Sequence, residues 1–282
     1  MLRIALGERR YRIERPWGVW GASGLISDVA VLPDGDVLVL QRRDALDIRQ
    51  SATAIPALVR LGADGAFKAT SFGDDIWDAH KMSTDRQGRV YLVDRDAHQI
   101  VLYDSSLVVQ QRIGQLHGPG APFNSPCDAA WCEASGRILV ADGYAAARLH
   151  AITPGADPVP LCGEPGTGRG QFVTPHAIRT LADGRIVVAD RDNSRLQIFT
   201  PQGQWLHSIT DVHKPMALAV HDDEIYVTDQ VPRLSRFSAD GRLLGRGRAV
   251  LNGAHGMCIC ANGDILLSEI SPGRLTRLVL DS

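Results

Sequence analysis

One recurring pattern restricts the fold of this 282-residue chain more than any other feature. A turn is followed by four or five apolar or alternating residues and then, in most copies, by Asp or Glu. In chain order the copies are Asp36–Leu40, Gly88–Asp94, Gly136–Asp142, Gly184–Asp190, Glu224–Asp229 and Gly263–Glu269. Turns such as Pro33-Asp34-Gly35, Ala182-Asp183-Gly184 and Ala261-Asn262-Gly263 precede them. Asp-Gly and Asn-Gly pairs supply the positive-φ residues of tight hairpins. Third strands follow at Gln99–Tyr103, Arg195–Phe199 and Arg233–Phe237, and a fourth at Gln204–Ile209. Four antiparallel strands recurring roughly every 40 to 50 residues describe a propeller blade. Six copies predict an all-β, six-bladed β-propeller forming one domain over residues 1–282. No helical stripe competes with this reading. The last copy ends at Arg274–Leu280, one strand short, and Arg10–Glu14 is expected to supply its outer strand and close the ring. Closure removes an exposed sheet edge.

Composition excludes several classes of function. Hydrophobic residues make up 44%, charged residues 22%, and the net charge is −2. No basic excess recommends a nucleic-acid partner. No apolar run approaches the ~20 residues that span a bilayer, and Met1–Gly18 lacks the apolar core of a signal peptide. Five cysteines without C-x-x-C spacing suit free thiols in a reducing compartment. The expectation is a cytoplasmic protein that touches no membrane. No feature indicates an oligomeric state. Gly163–Phe172 superficially resembles a phosphate cradle but lacks the Gly-Lys-Ser/Thr ending and a following helix, so it reads as an inter-blade turn.

Chemistry enters through one aligned position, just before the apolar run of each innermost strand. Its occupants are Ser27, His80, Cys127, His176, Met216 and His255. Equivalent positions on six innermost strands form a ring around the axis, so histidines on alternate blades form a triangle. Three converging imidazoles with one open position describe a catalytic transition-metal site, with zinc preferred. Cys127 is expected to line the ring rather than ligate. The remaining six histidines, among them His98 and His150, read as ordinary satisfied polar residues.

These segments resemble NHL-type repeats and, among them, the peptidyl-α-hydroxyglycine α-amidating lyases, over roughly Asp28–Glu269. The stretches carrying the resemblance are Phe123–Asp128, Ala141–Arg148, Gly170–His176 and Ala189–Arg195. The resemblance implies that His80, His176 and His255 bind zinc. It implies that Tyr144 is the catalytic tyrosine, acidified by nearby cations, and that Arg191 and Arg42 bind the substrate carboxylate, with Arg43 close enough to compete with Arg42. Departures limit it. Gly256 stands where the family has a calcium-binding carboxylate, so structural calcium is not expected. Gly253 replaces a site methionine, and Asn124 and Ala145 replace a cysteine pair of the animal enzymes. With no companion oxygenase domain in this sequence, the expected substrate is a small carboxylate-bearing carbinolamide or hemiaminal that releases glyoxylate and an amide. A metal-dependent lactonase or esterase, and a non-catalytic binding propeller, remain the competing readings.

Overall fold

The computed structural model describes residues 2–21, 25–42, 56–72, 76–248 and 254–281. Two strands come first, β1 (Arg3–Leu6) and β2 (Arg9–Trp17). Blade 1 is β3 (Leu25–Val31), β4 (Val37–Arg42), β5 (Pro56–Leu61) and β6 (Phe67–Phe72). Blade 2 is β7 (Ala79–Thr84), β8 (Val90–Asp94), β9 (Gln99–Tyr103) and β10 (Val109–Ile113). Blade 3 is β11 (Asp128–Cys132), β12 (Arg137–Asp142), β13 (Arg148–Ile152) and β14 (Val159–Cys162). Blade 4 is β15 (Pro175–Thr180), β16 (Ile186–Asp190), β17 (Arg195–Phe199) and β18 (Trp205–Ile209). Blade 5 is β19 (Pro215–His221), β20 (Glu224–Asp229), β21 (Leu234–Phe237) and β22 (Leu243–Gly247). Blade 6 contains β23 (Ala254–Ile259), β24 (Ile265–Glu269) and β25 (Arg274–Leu280). The innermost strands touch in a closed circle, β3 to β7 and onward to β23, which returns to β3.

Each strand places alternate side chains on opposite faces, so each blade feeds two interfaces. In β16, Ile186 and Val188 pack toward blade 3, whereas Val187 and Ala189 pack toward blade 5. The apolar interior is therefore six separate clusters, one at every blade–blade junction. This leaves the axis to polar groups.

The expected closure is present and extends one strand further. β2 pairs antiparallel with β25, Tyr11 opposite Leu280 and Ile13 opposite Leu278. β1 then adds a fifth strand, giving the order β1-β2-β25-β24-β23. Ile4, Leu6, Tyr11 and Ile13 complete the cluster between blades 5 and 6, and Trp17 that between blades 6 and 1. β1 lies so close to β22 that a Cβ on Gly245 would collide with the Leu6–Gly7 backbone. The Gly163–Phe172 segment is the inter-blade connection expected, bridged between Pro165 and Phe172 and leading into β15. No helix among the described residues is long and apolar enough to cross a membrane.

Candidate metal centre on the propeller axis

Local strand geometry aims the ring residues inward. Innermost and second strands pair antiparallel, and the register slips by one residue between Ala79 and Lys81, between Pro175 and Ala177, and between Ala254 and Gly256. His80, His176 and His255 are the extra residues of these bulges. Ser27 and Met216 sit at the matching slips in blades 1 and 5. A bulge bends its strand and re-aims the unpaired side chain. In blades 2 and 4 the repeat acid closing the second strand holds the segment leading into the ring. Asp94 accepts the Trp77 and Asp78 N–H groups, at 3.0 and 2.8 Å, ahead of His80. Asp190 accepts those of Val173 and Thr174, at 3.1 and 3.4 Å, ahead of His176.

The three imidazoles converge. Ring centroids are 5.1 Å apart for His80–His176, 5.0 Å for His80–His255 and 5.1 Å for His176–His255, with interplanar angles of 85°, 90° and 90°. One ligand atom from each lies within 4.8 Å of the others. The alternate ring members complete the arrangement through their backbones. Nδ1 of His80 donates to Cys127 O (2.6 Å), that of His176 to Met216 O (2.8 Å), and that of His255 to Ser27 O (2.8 Å). A carbonyl only accepts, so Nδ1 carries the proton and each Nε2 is the unprotonated nitrogen that would ligate a metal. The alternation in the sequence thus has a cause: every histidine leans on its non-histidine neighbour. All three are buried, and desolvation first, with neighbouring positive charge, holds each pKa well below 6.5. They are neutral, as ligands must be. His176 Nε2 is buried without any partner, a cost that a coordinated ion removes. The donor set suits one divalent metal ion. Cys127 keeps its expected lining role, its thiol fully buried and its pKa raised by desolvation.

Beneath the ring, Lys81 is 1% exposed and donates from Nζ to His255 O at 2.5 Å. Asp28 and Asp128 provide its countercharge. Asp28 also accepts the Met82 N–H, and Asp128 that of Ile178, so these carboxylates tie blade 1 to 2 and blade 3 to 4.

Above the ring stand Tyr144, Arg191 and Arg42, with Arg95 beside them. The Tyr144 hydroxyl lies 3.0 Å from His80 Nε2 and 3.3 Å from Arg191 Nη1. Tyr144 as a whole remains 37% exposed. Gly143 allows this placement, because a Cβ there would strike the Pro175 carbonyl and Cys127 Sγ. Arg191 opens a 3-10 turn (Arg191–Asn193), and its Cζ lies 5.3 Å from the Tyr144 ring centroid. Arg42 is bound to Asp78 at 2.9 Å. Arg43 and Gly253 lie outside the described residues. Asn124 and Ala145 do meet, through an Asn124 Nδ2 to Ala145 O hydrogen bond of 3.3 Å.

Arg95 is not among the site residues expected from the sequence. It bridges to Asp78 at 2.6 Å, and its Cζ is 5.2 Å from the Tyr144 ring centroid. Aligning the blades on the bulge puts Arg42, Arg95, Arg191, Gln230 and Ile270 at one equivalent position, one past the second-strand residue paired with the residue just before the bulge. The Asp94-Arg95 and Asp190-Arg191 pairs were the visible signal. One expectation needs correction. Burial outweighs the guanidinium groups of Arg191 and Arg95, so the Tyr144 phenol pKa moves above 10 rather than below.

A cavity of about 730 Å³ opens at the opposite mouth, lined by Met82, Ser83, Arg179, Met257 and Cys258 among others. None of the three histidines lines it, and among the described residues it gathers no metal-binding set.

Fold and site together define an NHL-repeat six-bladed propeller with a three-histidine centre on its axis. An NHL repeat matches residues 172–199, within blade 4. Peptidyl-glycine alpha-amidating monooxygenase A of Xenopus laevis is 27% identical over 197 residues, covering 66% of this chain and 20% of that protein. The chain therefore spans a fifth of that relative's length. Virginiamycin B lyase from Staphylococcus aureus superposes with a TM-score of 0.67 at 14% identity, over 95% of this chain and 85% of that one. A gluconolactonase from Xanthomonas campestris gives 0.67 at 14%, over 98% and 91%. At such identities these two structures share the fold alone.

Proposed function

We propose that this protein is a metal-dependent lyase, with zinc the preferred metal, acting on a carboxylate-bearing carbinolamide of the α-hydroxyglycine type. The observation carrying this reading is the placement of Tyr144, with its hydroxyl between a ring histidine and a guanidinium. A divalent ion held by His80, His176 and His255 supplies Lewis-acid polarisation of a substrate oxygen and positive charge beside the phenol. Arg191 and Arg42 hold the substrate anion through charge-assisted hydrogen bonds and so orient the reacting carbon. Tyr144, as phenolate, takes the hydroxyl proton. The oxygen electrons form the aldehyde C=O while the C–N pair leaves with nitrogen. Nitrogen gains the proton Tyr144 removed, which returns the tyrosine to its starting state. The products are glyoxylate and an amide. Burial raises the cost of ionising Tyr144, and Arg191 and Arg95 reduce it.

The test is glyoxylate release from a panel of N-substituted α-hydroxyglycines, beside a lactone panel. Turnover of the first and not the second is expected. Hydrolysis of lactones without glyoxylate release would replace this reading with the hydrolase. Tyr144→Phe should retain metal and fold yet lose about 10²–10⁴-fold in kcat, the usual worth of a general base. Near-wild-type turnover in that variant would retire the tyrosine mechanism.

A further inference from the structure

Guanidiniums from two blade pairs flank Tyr144, with Arg95 and Arg191 Cζ at 5.2 and 5.3 Å from its ring centroid. On the blade 1–2 side, Arg42 and Arg95 share the single buried carboxylate of Asp78, at 2.9 and 2.6 Å. Arg95 also meets Asp96, at 2.9 Å, but that carboxylate is 58% exposed and its charge is screened by water. On the blade 4–5 side, Arg191 and Lys214 share Asp192, at 3.0 and 3.8 Å. The first pole thus sets two guanidiniums against one buried carboxylate and one exposed one, and the second sets Arg191 and a half-exposed Lys214 against Asp192. Each also holds one buried donor without a partner, Nε of Arg42 at the first and Nε of Arg191 at the second. A buried, unpaired guanidinium N–H is costly, and an anionic ligand oxygen relieves that cost.

We infer that the substrate is a dianion, with one carboxylate at Arg191 beside the reacting carbon and a second anionic group at the Arg42–Arg95 pair. This rests on the lyase reading, moves Arg42 from the reacting carboxylate to the far anion, and narrows the substrate to the amide of a dicarboxylic acid, an N-acyl α-hydroxyglycine whose acyl chain ends in a carboxylate. Arg191 serves the reacting end because it alone of the three arginines bonds the Tyr144 hydroxyl, among the described contacts. Arg95 then determines specificity at the far end, with Asp78 keeping the paired guanidiniums side by side.

Two unreactive probes test it on the full-length, zinc-loaded protein: N-succinylglycine, a dianion, and N-butyrylglycine, its monoanionic near-isostere. Neither carries the hydroxyl, so calorimetry reads binding alone. N-succinylglycine should bind at least about tenfold more tightly, the worth of one charge-assisted contact. Arg95→Gln should shrink that ratio to about twofold or less, and Arg95→Lys should keep part of it, charge without the planar fork. Equal affinities in the wild type, or a ratio untouched by Arg95→Gln, would overturn the inference. If Arg95→Gln fails to fold, the wild-type ratio and Arg95→Lys decide. A dianion preference without glyoxylate release from any hydroxyglycine would sink the lyase reading and leave the two-pole site standing. Glyoxylate release with no dianion preference would do the reverse.

Discussion

His80, His176 and His255 share one tautomer because each Nδ1 faces a carbonyl that can only accept. Their neutrality ties stability to pH. With native pKa values held well below 6.5, the unfolded chain takes up protons below that pH which the native protein refuses. This contribution is complete above pH 6.5 and is lost as pH falls beneath it. Three such groups give a slope of about 4 kcal/mol per pH unit in the metal-free protein. Asp28, pushed up to about 6 by burial, opposes this by one proton below that value. Urea unfolding of chelated protein between pH 7.5 and 5.5 checks the sign, and His176→Ala should reduce the histidine contribution by about a third. A flat profile would contradict it. Much at this scale was legible in the sequence, since six aligned positions with histidine at every second one already imply a triangle. Arg95 does not show in the pattern of the innermost strands, because the arginines repeat on the second. The Tyr144 shift was not legible either, because desolvation depends on packing that no local motif encodes.

At the scale of elements, the repeat acid links strand to site. Asp190 is fully buried and accepts from Val173, Thr174, Asn193, Arg195 and Gln197. Asp190→Ala should cost about 3 kcal/mol, because two backbone N–H groups lose their acceptor and Arg195 loses its only carboxylate, keeping carbonyl partners at Thr167, Gly168 and Gln171. It should also lower metal content, since the segment entering His176 loses its anchor. Thermal melts and metal analysis read both, and an unchanged melt with full metal would remove the acid from the site's support. The strands themselves could be read from the residues, as Gln99–Tyr103 and Arg195–Phe199 coincide with β9 and β17. The bulges could not, because a one-residue register slip depends on the partner strand. β1 is a four-residue strand outside the repeat, recognisable only from the partner it covers.

For the molecule as a whole, six wedge-shaped clusters and a closed circle of strands make stability depend on the last join. β1 and β2 bury Ile4, Leu6, Tyr11, Ile13 and Trp17. At about 2 kcal/mol per large apolar side chain, these contribute roughly 10 kcal/mol, comparable with the ~5–15 kcal/mol net stability of a typical domain. Removing residues 1–17 should therefore abolish the cooperative melt, and an unshifted melting temperature would show the closure to be dispensable. The same ring geometry brings blades 2, 4 and 6 together at one point, on which the account of activity rests. The direct measurement is metal content by elemental analysis of the purified wild type and of His80→Ala, His176→Ala and His255→Ala. About one equivalent of a divalent transition metal in the wild type, lost in each variant, is the expected result. A full equivalent retained after loss of His176 would contradict the three-histidine centre.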